Sequence, residues 1–394
     1  MATLKSSRIV IVGGGIIGSS VACALAGAGA GVEVVVIEPD PTYEWAATPR
    51  ATGTIRRTFT LAEKIEMSNF AHEVYSDFSA LTAINGEEIA DVQFNKGGFL
   101  YMAWGTEEVA KMIRARDIIE EHYPLIDLLD AKEISALYPS ICTDDVDVGL
   151  FAPDDGWIDP ASALHGFAKK AKSFGAQYVK DRVVDIKTSG RLVTEVVLES
   201  GEKLKADAVV NCANCWAADV GSMVGMKLPV RPLRRMTYYF DVRANLEKLP
   251  LTRDINGVSV RPEGAGYITG VTNYEEQYGF NWNLDYDWFD QTIWPAIAAR
   301  IPAFEAVKLE SCWSGHYDMN TFDKTAIIGP WTGGIENFYV AAGFSGHGLQ
   351  QAPAVGRGIK ELIIDGGYQT IDLSRFGYQR ILDESPLLDE GPKS

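Results

Sequence analysis

From Ile9 to Val32 the chain runs for 24 consecutive residues without a charged side chain, preceded by Lys5 and Arg8. On length alone this reads as a membrane-spanning helix, or as a signal peptide with a basic start. Seven of the residues are glycine, and Gly13, Gly14, Gly15 and Gly18 crowd together near the start. A lipid-spanning helix has little use for a triple glycine there, whereas a tight strand-to-helix turn does. Residues 8–12, apolar after Arg8, read as a central parallel strand. Ser19 to Ala30, small and apolar, reads as a helix packed close on a sheet. Glu33 to Glu38 reads as a second strand, ended by Pro39. The uncharged run thus divides into three elements, and the expected fold class is α/β.

Gly13, Gly15 and Gly18 fit G-x-G-x-x-G, and Glu38 lies 20 residues after Gly18. That spacing suits a carboxylate that hydrogen-bonds a ribose hydroxyl. The glycines let the backbone approach a pyrophosphate, and a helix N-terminus favours its charge. A dinucleotide site is expected here.

The 394 residues, 46% hydrophobic and 23% charged, suit a globular chain of two or three domains. A net charge of −17 repels phosphate backbones and anionic membrane surfaces, so no nucleic-acid partner and no membrane span are expected. Five cysteines, sparse and odd in number, point to reduced thiols and a cytoplasmic setting. No histidine pairing signals a metal site. Cys212 and Cys215 form a CxxC, read either as a redox pair or as two small residues closing a buried strand.

Residues 62–140 read as largely helical, and residues 236–315 as short strands with one aromatic region. Asp159 and Pro160 form a good helix start for a segment ending at Gly175. Strands are expected near 177–180, 183–188, 192–198 and 208–210. A second glycine cluster, Gly343, Gly346 and Gly348, lies between an expected strand (337–341) and an apolar-striped helix (349–364). It reads as a second helix N-terminus aimed at a ligand, or as a plain surface loop.

These motifs resemble the FAD-dependent amine oxidoreductases of the D-amino-acid oxidase and sarcosine oxidase type. The likeness covers nearly the whole chain and includes residues 154–160, 207–216, 228–232, 260–264 and 343–353. Residues 289–305 and 320–330 are most similar to the branch called FAD-dependent oxidoreductase domain-containing proteins. The resemblance implies a Rossmann-like FAD-binding domain (1–90, 142–225 and 316–394) interleaved with a mixed-sheet substrate domain (91–141 and 226–315). It implies FAD as cofactor, with Gly13, Gly15, Ile16, Ile17 and Gly18 at the pyrophosphate and Glu38 at the ribose. Thr54, Arg56 and Arg57 would lie in a flavin-contacting loop, and Val183 beside the adenine. Ala213 and Trp216 would return to the flavin. Gly343, Gly346, His347, Gly348, Leu349 and Gln350 would meet the pyrimidine side of the ring, where a helix N-terminus stabilises negative charge.

Two departures bear on function. Gln350 stands where the sarcosine oxidase branch has a carboxylate-holding lysine, and no lysine lies near Tyr267 to Gly270. The second absence favours a dehydrogenase over a fast oxidase, with O2 or another carrier as acceptor. Non-covalent FAD is expected, with His316 or Cys312 the candidates if a covalent link exists. Arg261 reads either as the anchor of a substrate carboxylate or as a structural arginine tying down its turn. His316, Tyr317 and Gln350 are further candidate catalytic contacts, and Asp318 another. Residues 274–294, rich in aromatics and acids, read as an aromatic wall near the flavin or as a buried helix with a solvated acidic face. The expected chemistry is oxidation of the C–N bond of a small secondary or N-substituted amino acid. A D-amino-acid oxidase or dehydrogenase, an NAD-dependent enzyme, and a non-catalytic flavoprotein assisting respiratory-complex assembly are the alternatives. The oligomeric state is left open.

Overall fold

The computed structural model describes residues 7–392 apart from Ala30. The expected helix end at Ala30 and the outermost ends of the expected cofactor domain therefore lie outside the described residues.

Ser7–Val12 and Val32–Ile37 pair in parallel at the centre of a six-stranded sheet. Ala208–Asn211 flanks the first strand, and Phe338–Ala342 lies beyond it; both run parallel. Gln177–Val179 closes one edge and the antiparallel Ile327–Pro330 the other. Ile9, Val10, Ile11, Val35 and Val36 are almost wholly buried. Burial on both faces explains why these strands are apolar runs rather than alternating ones.

Helices cover one face. Ile16–Gly27 begins where expected, directly after the glycine turn. Gly348–Lys360 packs across it so closely that Ser20 Oγ donates to the Ala352 carbonyl at 2.8 Å, and a Cβ at Gly356 would fall 2.8 Å from the Ser20 carbonyl. Pro160–Ser173 carries the Asp159 cap and first-turn proline read from the sequence. A three-stranded antiparallel sheet, Val183–Ser189, Leu192–Leu198 and Lys203–Lys205, covers the other side.

The second large sheet has eight strands, and its two longest correct the expectation of short ones. Val230–Val242 and Val307–Asn320 pair antiparallel along their length. Residues 62–140 also prove less helical than expected. Helices Ala62–Ser76, Thr106–Glu120 and Ala131–Leu137 are interrupted by strands Phe99–Ala103 and Asp127–Leu129. Phe99 to Ala103 is a five-residue buried apolar run after Gly97 and Gly98, too short for a helix and bounded like a core strand. Val148–Ala152 joins this sheet although it lies past residue 141, and the strand Val307–Asn320 continues through residue 316. Among the described residues no helix is long and apolar enough to cross a membrane.

Candidate active site

The first strand ends in a turn that only glycine can make. Gly13 has φ +98°, and a Cβ there would fall 2.6 Å from the Cys212 carbonyl. A Cβ on Gly18 would fall 1.9 Å from the Gly13 carbonyl. Gly15 differs: its Cβ would meet only Thr48 Oγ1, at 3.7 Å, so the backbone is open to a ligand on that side. Glu38, at the end of the second strand, accepts from the Gly14 N–H at 2.8 Å and from the Asp40 N–H at 2.9 Å. Burial, against these bonds, raises its carboxyl above the usual range. Ala213 sits against Gly13, and Val183 packs in the same core as Val12 and Ile37.

The second glycine turn is held by Asp318. Its Oδ2 accepts from the Gly343 N–H at 2.7 Å and the Phe344 N–H at 3.1 Å. Burial lifts this carboxyl to about 6, against the pull of those bonds. Gly343 and Gly346 both have positive φ, and a Cβ on Gly346 would run into the Tyr317 ring at 2.8 Å. The turn delivers the N-terminus of Gly348–Lys360, which has no side-chain cap. Its first N–H groups and dipole are suited to an anionic partner.

Between the two glycine turns lies an open cleft lined by Ile16, Ile17, Thr54, His316, Gly346 and Leu349 among others. A second chamber adjoins it and shares Thr54, Arg235, Tyr317 and Gly346 with the cleft. Arg56, Arg235, Arg253, His347 and Gln350 line this chamber. Gln350 Oε1 accepts from the Arg56 N–H at 3.1 Å, and Arg56 Nη2 meets His347 Nε2 at 3.0 Å.

His316 is enclosed by Trp282 and Phe280, and Phe280 stacks on Trp216. Burial lowers its imidazole to about 4. Residues 274–294 therefore bring two aromatic rings onto a residue of the cleft wall. The helical reading of that segment holds only from Tyr286 onward. His316 Nε2 accepts from the Asn281 N–H at 2.9 Å, while Nδ1 is buried without a partner.

The structure bears on five of the sequence readings. Arg261 is not presented to the chamber: its guanidinium donates twice to the Thr52 carbonyl and pairs with Glu263. It ties down a turn, so the substrate-anchor reading loses its free donors. Arg57 pairs with buried Asp155, bonds Asn69 and lies over the Tyr123 ring, rather than facing the cleft. Asp318 lines the cleft, but its carboxylate is taken by the glycine turn. Burial raises the Cys212 and Cys215 thiols, the reverse of what a redox pair needs. Cys312 lies along the long strand, outside the residues lining either cavity.

Arg235 and Arg253 were missed as site residues. No signal in the sequence marked Arg235, since Arg234 and Thr237 beside it break the apolar pattern and the burial of residues 233–238 shows only in the fold.

The open face of Gly15, the uncapped helix start and the unpartnered His316 Nδ1 fit a flavin dinucleotide. A sequence profile described as FAD dependent oxidoreductase matches residues 8–362. The chain belongs to this family of FAD-dependent oxidoreductases. This oxidoreductase is 34% identical to "FAD-dependent oxidoreductase domain-containing protein 1" of Xenopus laevis, over 98% of this chain and 84% of that protein. It is 25% identical to mouse mitochondrial sarcosine dehydrogenase over 92% of this chain, which spans 40% of that longer protein. Among solved structures it resembles L-proline dehydrogenase from P. horikoshii, with TM-score 0.87 and 25% identity over 97% of this chain and all of that one. Bound in the cleft, FAD would supply a two-electron acceptor. Gly13, Gly15, Gly18 and Glu38 would hold its nucleotide half. The start of the Gly348–Lys360 helix would meet the ring.

Proposed function

We propose that the chain oxidises the C–N bond of a small secondary or N-substituted amino acid, with hydride passing to the flavin and the imine hydrolysed afterwards. The observation that carries this reading is the arginine-lined chamber sharing a wall with the FAD cleft. A guanidinium fork matches a carboxylate, so Arg235 or Arg253, rather than Arg261, takes the acid end of the substrate. The same positive wall disfavours an ammonium ion and leaves the amine lone pair free to drive the hydride out, without a dedicated base. Tyr317 and Gln350 supply neutral polar contacts. O2 or another carrier accepts the electrons. The six-stranded sheet and its helices form the FAD unit, and the eight-stranded sheet forms the substrate unit. FAD is read as non-covalent, since neighbouring rings and Asn281 enclose His316. Five free cysteines support a reducing, cytoplasmic setting.

Anaerobic titration of the holoenzyme tests the reading. Sarcosine, other N-methyl amino acids or proline-type imino acids should bleach the flavin band; if none does, the substrate class is wrong.

A further inference from the structure

Seven arginines are buried among the described residues. Five have carboxylate partners: Arg57 has Asp155, Arg234 has Glu276 and Asp285, and Arg261 has Glu263. Arg300 has Asp145 and Asp254, and Arg380 has Asp323. The other two are Arg56 and Arg235, which have no carboxylate within ion-pair distance among the described residues. These are also the two that line the substrate chamber, and Arg253 lines it beside them. No aspartate or glutamate is among the lining residues. Asp389, whose carboxyl feels the Arg56 charge, is held by Lys64 and by the Thr60 N–H and hydroxyl, and Asp318, on the adjoining cleft, by the Gly343 and Phe344 N–H groups.

Burying a charge without a counter-charge costs several kcal/mol, and this fold supplies the counter-charge at every other buried arginine. At Arg56 and Arg235 the compensation is left to the ligand. One carboxylate balances one guanidinium. Building on the amino-acid reading above, we propose that the preferred substrate carries two carboxylates, as an N-carboxymethyl or N-methyl amino dicarboxylic acid does. One carboxylate engages Arg235, which lies at the wall shared with the cleft. The second lies deeper, toward Arg56 and Arg253. Arg56 is itself fixed by the Thr58 carbonyl and hydroxyl and by His347, so it acts as a rigid charge.

The test separates binding from turnover. Holoenzyme is titrated with inert anions at constant ionic strength, and the flavin absorbance shift is read. Iminodiacetate and succinate should bind at least tenfold more tightly than acetate and propionate, and Arg235→Gln should remove most of that ratio. Arg253→Gln serves as the second variant should Arg235→Gln fail to fold. Equal affinities for mono- and dicarboxylates in the wild-type protein would overturn the proposal with no variant needed. Anaerobic bleaching then distinguishes the two readings. Tight dicarboxylate binding without bleaching by any amine sinks the catalytic reading and leaves the charge assignment standing. Faster bleaching by sarcosine than by N-methyl amino dicarboxylic acids sinks the dicarboxylate proposal and leaves the catalytic reading standing.

Discussion

Arg56 Nη2 and His347 Nε2 meet at 3.0 Å, and only one of the two can be the acceptor. A guanidinium has no lone pair to offer, so Nε2 accepts and the ring is neutral, with its proton on Nδ1. Burial and the Arg56 charge both push the imidazole well below its ordinary value. His316 is held low, to about 4, chiefly by burial.

Acid should therefore unfold the protein in a defined window. A histidine with a folded value below its unfolded value of about 6.5 contributes stability above 6.5 and loses it as pH falls towards the folded value. For His316 the loss runs from about pH 6.5 to about 4. The unfolding free energy from denaturant melts should be flat from pH 8 to 7 and fall below 6.5, by on the order of 2 kcal/mol for His316. His316→Gln should shallow the fall; an unchanged slope would show that His316 is protonated in the folded state.

Two of the fingerprint glycines should separate by their surroundings. Gly18→Ala sets a methyl into the Gly13 carbonyl and should cost roughly 3 kcal/mol or more, or abolish soluble protein. Gly15→Ala meets nothing closer than 3.7 Å, so the melting temperature of the apoprotein should stay within a few degrees while bound flavin falls sharply. Flavin-to-protein absorbance ratios and apoprotein melts check both.

Glu38 is pre-set by two backbone N–H groups. Glu38→Ala should weaken FAD binding by about 1.5–3 kcal/mol, the range for a lost hydrogen bond to a charged group. Fluorescence titration of apoprotein with FAD reads this directly, and undiminished affinity would remove Glu38 from the site.

Arg261→Met should behave as a structural change. It releases the Thr52 carbonyl and unpairs Glu263, so the melting temperature should drop. Affinity for carboxylates, measured by flavin perturbation, should change less than threefold. A tenfold loss of carboxylate affinity would return Arg261 to the substrate-anchor role, one of its two readings from the sequence.

What could be read in the sequence was local. Gly13, Gly15, Gly18 and Glu38 belong to one strand-turn-helix-strand unit, where spacing alone sets geometry. The same holds for the Asp159 cap and the turn from Gly343 to Gly348. The arginine-lined chamber was not local. Arg56, Arg235, Arg253 and Gln350 come from separate stretches of chain and meet only after the sheets pair. Arg261 kept two readings because its neighbours in sequence, Pro262 to Gly264, marked a turn but not the Thr52 carbonyl that the fold brings to it. The long strands Val230–Val242 and Val307–Asn320 were underestimated because polar residues such as Arg234, Thr237, Ser314 and Asp318 break their apolar pattern.

The order of strands in the six-stranded sheet has a consequence for synthesis. Ile9 pairs with Ala208, and Val209 with Phe338. The first strand emerges from the ribosome nearly 200 residues before its second neighbour. The helix that completes the cleft, Gly348–Lys360, comes later still. The nascent chain thus carries a bare apolar strand edge through most of translation, and FAD is captured only by a chain that is nearly finished.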